Sequence, residues 1–238
     1  MMWKGFQRPN RLEVDEESGN YGRYTAQPLE RGWGTTVGNA LRRVLLSSIE
    51  GAAITAVKID GVEHEFTAMP GVVEDVTDVI LNLKSLAIRM HDDGPRTLVL
   101  DAKSKGVVTA DAFEDDAQVE ILNSDAPVAT LADGGRLRLE ATVTKGRGYV
   151  PADRNFDAEA PIGTIPLDSA HSPVRRVNYH VEAARVGQAT DYDKLVLEVW
   201  TNGTMTHRDA VGVAAELLHG HLIIFLNKES DEGGVATG

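Results

Sequence analysis

No cysteine occurs in the 238 residues, which excludes disulfides, thiolate nucleophiles and cysteine-held metals and fits a reducing compartment. No apolar run is read as approaching the roughly 20 residues that a membrane helix needs, and the opening MMWKGFQRPN lacks the apolar centre of a signal peptide. The expected location is the cytoplasm, away from any membrane. Basic residues are also scarce: 24 Lys and Arg face 36 Asp and Glu, a net charge of -12. A phosphate backbone repels such a surface unless cations are gathered into a patch. No basic cluster exceeds two residues apart from the turn carrying Lys145 and Arg147, so direct DNA binding is not expected. What the chain does have is 42% hydrophobic residues, enough for one large domain or two medium ones, each with its own core.

The stretch TTVGNALRRVLLSSIEGAAI, from Thr35 to Ile54, reads as a helix over about 36–48, entered by a Thr cap and left at Gly51. Val37, Leu41, Val44, Leu45 and Ser48 follow the spacing of one buried stripe. Asn39, Arg42, Arg43 and Leu46 share the opposite face and place a leucine among guanidinium groups. One face packs and the other is free to bind. Before this helix Tyr21 to Leu29 reads as a strand. After it, AAITAVKIDGVEHEF reads as two strands about an Asp60-Gly61 turn. Val72, Val76, Val79, Ile80 and Leu83 mark a second helix following Pro70-Gly71. From Arg96 to Val150 short alternating runs form a β-rich block, then a polar loop begins at Pro151, and strands resume to about residue 203.

A closing helix spans about 206–226, with Thr206 and Asp209 at capping-box-like spacing. Val211, Ala214, Ala215, Leu218, Leu222 and Phe225 form one stripe, and Val213, Leu217 and Ile224 another roughly opposite. A surface helix of a monomer needs only one such stripe. Periodicity leaves two readings open: a helix sandwiched in its own domain, or one shared with a second copy. The polar, Gly-rich residues 228–238 read as a disordered tail.

Catalytic groups are hard to find. Asp191 and Asp193 have the spacing that some nucleotidyl transferases use for magnesium, but before a strand they read as turn and cap residues. His219 and His221, two apart on a helix, point away from each other and cannot easily share a metal. The Gly-x-Gly of KGRGY has no helix after it to supply phosphate-binding amides, so it reads as a tight turn.

The segment LERGWGTTVGNALRRVLLSS resembles the first helix of the amino-terminal domain of bacterial RNA polymerase alpha subunits. IDGVEHEF, PGVVEDVTDVILNLK, GRGYVPA and SPVRRVNYHVEAARVGQATDYDKLVLEVWTNGT extend the resemblance in the same order, over about Leu29 to Phe225. It implies an α+β fold of two subdomains. Residues 1–51 and 173–227 would form a discontinuous dimerisation subdomain, a sheet plus two helices, with residues 52–172 as an inserted β-rich subdomain.

The same resemblance implies a non-catalytic alpha subunit, part of an enzyme only through the complex, that homodimerises and scaffolds assembly of the beta and beta-prime subunits. Arg43 and Leu46, with Arg42 and Asn39 beside them, would contact beta; Lys84 and Leu167 would contact beta-prime. Trp33, Leu41, Leu45, Val211, Leu218, Leu222 and Phe225 would meet the second copy. No cofactor is expected in this chain, magnesium and zinc belonging to other subunits. Where the family usually has Pro at the start of the last helix this chain has His207, and Gly212 and Gly220 are unusual. A carboxy-terminal DNA-contacting domain is absent from the sequence, so no retardation of promoter DNA is expected. Two alternatives remain: an acidic homodimeric module with another partner, and a stand-alone metal-dependent enzyme using Asp191 and Asp193.

Overall fold

A computed structural model describes Phe6, Pro9, residues 11–187 and residues 189–226. The tail expected at 228–238 lies outside the described residues. In chain order the elements are β1 (Leu12–Ser18), β2 (Tyr21–Glu30), α1 (Trp33–Ser47), β3 (Glu50–Ile59), α2 (Val76–Lys84), β4 (Ile88–Met90), β5 (Arg96–Ala102) and β6 (Gly106–Thr109). They continue as β7 (Val119–Ile121), β8 (Pro127–Leu131), β9 (Leu137–Arg147), β10 (Tyr149–Val150), α3 (Ala152–Asn155), β11 (Thr164–Pro166) and β12 (Ser169–Ala170). The last are β13 (Val174–Val186), β14 (Ala189–Thr201) and α4 (His207–Leu222), which tightens into a 3-10 turn, Ile223–Leu226. The expected α+β class is the observed one.

Chain ends and chain middle build separate sheets. The first has the antiparallel order β1-β2-β14-β13 and carries α1 and α4. Its core joins Tyr24, Leu45 and Ile49 to Val177, Val199 and Ala210, residues from both ends of the sequence. The second has the order β11-β3-β9-β5. Strand β9 shows why it forms: Leu137, Leu139, Ala141 and Val143 alternate inward while Arg138, Glu140 and Thr142 lie on the opposite, less buried face. Helix α2, capped by Asp75 accepting from the Asp78 amide at 2.8 Å, packs Val76, Val79 and Leu83 into that larger core. The two units meet where Gly51 lies against His171; a Cβ on Gly51 would collide with the His171 carbonyl oxygen.

Three sequence expectations need correction. Residues 62–71 form turns rather than a strand, because β11 already pairs with the Ala56–Lys58 edge of β3 that a hairpin partner would occupy. Helix α1 starts at Trp33 rather than 36, and no Thr caps it: its N-cap is Gly32 in a left-handed conformation. Within the polar loop after Val150 lies the short helix α3.

Candidate functional site

Helix α1 lies close on its sheet because Gly34 and Gly38 face it. A Cβ on Gly38 would stand 2.6 Å from the Tyr179 ring and 2.8 Å from a Leu195 methyl. This glycine pair and Leu45 set the buried face, with Leu41 and Val44 at its margin. The outward face differs in detail from the wheel. Asn39 and Arg43 are exposed, whereas Leu46 is half-buried against the core of its own unit. Arg42 folds back, its Nε donating to the Val177 carbonyl at 3.3 Å. The Arg43 guanidinium has no partner among the described residues.

Helix α4 starts firmly and ends unsupported. The Thr206 hydroxyl accepts from the Asp209 amide at 3.0 Å, and Ala210, Val211 and Ala214 are buried. Leu218 is half-buried, and beyond it Leu222 is 59% and Phe225 75% exposed. Near the start of α1, exposed Trp33 is met edge-on by Phe6 at 5.7 Å between ring centroids. Leu45 and Val211, expected at a surface between copies, instead fill their own core, because both sit where α1 and α4 press on the sheet. From His207 to Leu226 the helix and its turn span 20 residues, long and apolar enough by length and composition to cross a membrane. Scattered His, Arg, Asp and Glu residues hid that run from the sequence reading. A helix that docks on protein passes the same test.

On the second unit, the Lys84 Nζ donates to Asp168 at 2.5 Å, and the Tyr149 hydroxyl donates to the other Asp168 oxygen at 3.3 Å. The hydrogen bond from Lys84 holds the Asp168 carboxyl below the usual carboxylate range. Leu167 is 4% exposed, and its amide donates to the Thr55 carbonyl at 2.8 Å. Its side chain belongs to the core, so only its neighbours are open to a partner. A groove of about 740 Å³ beside Lys84 is lined in part by Phe66, Leu81 and Phe156, all three exposed. The sequence reading passed over this apolar rim; its signal was Phe66 and Phe156 interrupting polar loops and Leu81 lying off the buried stripe of α2.

One carboxylate of the metal reading has a structural use. Asp193 Oδ2 accepts from the Gly32 amide at 2.8 Å and from the Gly34 amide at 3.0 Å, capping α1 from across the sheet. Asp191 is exposed. His221 bonds through Nδ1 to the Leu217 carbonyl at 2.7 Å. Among the described residues no three His, Asp or Glu side chains gather as a metal site would require. In the Gly-x-Gly turn, a Cβ on Gly146 would touch the His171 ring at 2.9 Å, and Gly148 adopts φ +59°.

Residues 57–172 match the model of the RNA polymerase Rpb3/RpoA insert domain. Curated relatives match over nearly the whole chain. The DNA-directed RNA polymerase subunit alpha of Symbiobacterium thermophilum is 56% identical, covering 95% of this chain and 72% of that protein. The same subunit of Moorella thermoacetica is 54% identical, over 93% of this chain and 72% of the relative. That of Geobacter metallireducens is 52% identical, over 96% and 68%.

Proposed function

Since the chain belongs to the family of bacterial DNA-directed RNA polymerase alpha subunits, we propose that it homodimerises through α1 and α4 and scaffolds the beta and beta-prime subunits. The observation that carries the dimer is the end of α4. Leu222 and Phe225 stand clear of their own fold, and burying each against a second copy contributes roughly 1.5–3 kcal/mol. In this reading Trp33, Leu218, Leu222 and Phe225 meet the partner copy, while Leu41 supports them from the margin of the buried face. Arg43 is the main beta contact, a guanidinium without a partner among the described residues and suited to a carboxylate, flanked by Asn39 and backed by Leu46. Lys84 serves beta-prime together with the apolar rim beside it. A two-fold dimer offers each patch twice, and one copy uses each.

Nucleotide transfer is then the work of the complex. The metal ions belong to other subunits, this chain holds no cofactor and contacts no DNA itself, and assembly takes place in the cytoplasm. Residues 1–51 and 173–227 act as the self-association unit and 52–172 as the inserted unit. The test is sedimentation of the purified chain alone. It should run as a dimer, and Leu222→Glu with Phe225→Glu should run as a folded monomer. A wild-type monomer at tens of micromolar, or an unaffected double variant, would refute the assignment of α4.

A further inference from the structure

The turn that carries Arg147 and Tyr149 is built against the end of α1. Gly148, at φ +59°, would place a Cβ 3.2 Å from the Ser47 carbonyl oxygen, so both its backbone conformation and the close approach favour glycine. Its carbonyl accepts from the His171 amide at 2.9 Å, and Gly146 leaves room for the buried His171 ring. Ser47 in turn donates through Oγ to the Arg43 carbonyl at 2.7 Å. The backbone of the turn is therefore packed on the last turn of α1.

What the turn exposes is unusual for the chain. The Arg147 side chain is 65% exposed and reaches Glu50 only at 3.9 Å, a separation at which a surface pair contributes little. Tyr149 is 66% exposed, its hydroxyl tethered to Asp168 and through it to Lys84. Arg43, without a partner among the described residues, a nearly unpaired Arg147 and a tethered tyrosine thus lie on adjoining elements of a chain of net charge -12. Arg and Tyr are the residue types that dominate interface energetics, and the tether on Tyr149 and the close packing of the turn's backbone lower the entropy cost of binding.

We infer that Arg147 and Tyr149 form, with Arg43, one continuous contact for an acidic segment of the beta subunit, carboxylates meeting the two guanidinium groups and an apolar side chain meeting the tyrosine ring. This rests on the reading of α1 as the beta-contacting helix. A duplex nucleic acid fits less well, because it is held by a larger run of cations than these two arginines supply.

The test titrates the chain, as purified, with the beta subunit of its own organism, for wild type, Arg43→Ala, Arg147→Ala and Tyr149→Ala. Sedimentation and thermal melts establish that each variant keeps its fold and self-association. The expected result is a loss of affinity of about tenfold or more for each variant, with the salt dependence of binding reduced in the two arginine variants. If Arg43→Ala weakens binding while Arg147→Ala and Tyr149→Ala match wild type, the inference falls and the role of α1 stands. If wild type itself ignores beta, or Arg43→Ala binds normally, the role of α1 falls and takes the inference with it. A duplex DNA probe retained by wild type and released by Arg147→Ala would overturn the inference in favour of nucleic acid.

Discussion

Asp193 caps a helix from about 160 residues away in sequence, and its two accepted amides stabilise the start of α1. Asp193→Ala should cost about 1–2 kcal/mol of stability, read as a lower melting temperature, whereas Asp191→Ala should leave it unchanged. Equal effects of the two would contradict the capping role. Local sequence could not reveal this cap, because the nearest candidate hydroxyls, Thr35 and Thr36, follow the helix start rather than precede it. By contrast the Thr206–Asp209 cap lies within one turn, and the sequence spacing revealed it. Asp168 gives a pH test. Its folded pKa is depressed by Lys84, so its stabilisation is present above the ordinary carboxylate pKa of roughly 3.9 and is lost as pH falls through the folded value. Its side chain is 41% exposed, so the effect stays below about 1 kcal/mol. Wild type should melt slightly above Asp168→Asn at pH 7, the gap closing as pH drops below about 4; a gap that widens in acid would contradict the pairing.

Among the elements, α1 shows what a helical wheel misses. The wheel weighs hydrophobic side chains and gives glycine no role, yet Gly34 and Gly38 decide which face meets the sheet. Gly38→Ala forces a methyl against Tyr179 and Leu195, and the expected cost is about 1–3 kcal/mol, despite the better helix propensity of alanine. A gain in stability on chemical denaturation would show that α1 sits farther from the sheet than described. Helix α2 from Val76 on and the alternation in β9 were legible because each buries a periodic stripe on one unit, whereas Val72, read into that helix, lies before its Asp75 cap and bridges to Leu131 instead. The strand expected after Gly61 was not, since whether a stretch pairs depends on which edge of β3 is vacant. Helix α4 was legible as doubly apolar, but only its unsupported end separates the two readings that periodicity left open.

At the scale of the whole molecule, two cores divide the described chain, and the sheet built from both chain ends carries the helices assigned to self-association. Long motifs in fixed order made the family legible in the sequence, and relatives 52–56% identical bear it out. Which individual residues stand open to a partner was less legible, because Leu45, Val211 and Leu167 fill the interior, while Arg147 and Tyr149 stand exposed in a stretch read as a mere turn. The central claim is that a dimer of this chain binds one beta subunit, through the surface built around Arg43 of one copy. The most direct measurement is the mass, by light scattering after size exclusion, of the species formed when the chain is co-expressed with the beta subunit of its own organism. The account predicts two copies with one beta, a species lost in Arg43→Ala while the dimer survives; a wild-type dimer that elutes apart from beta would contradict it.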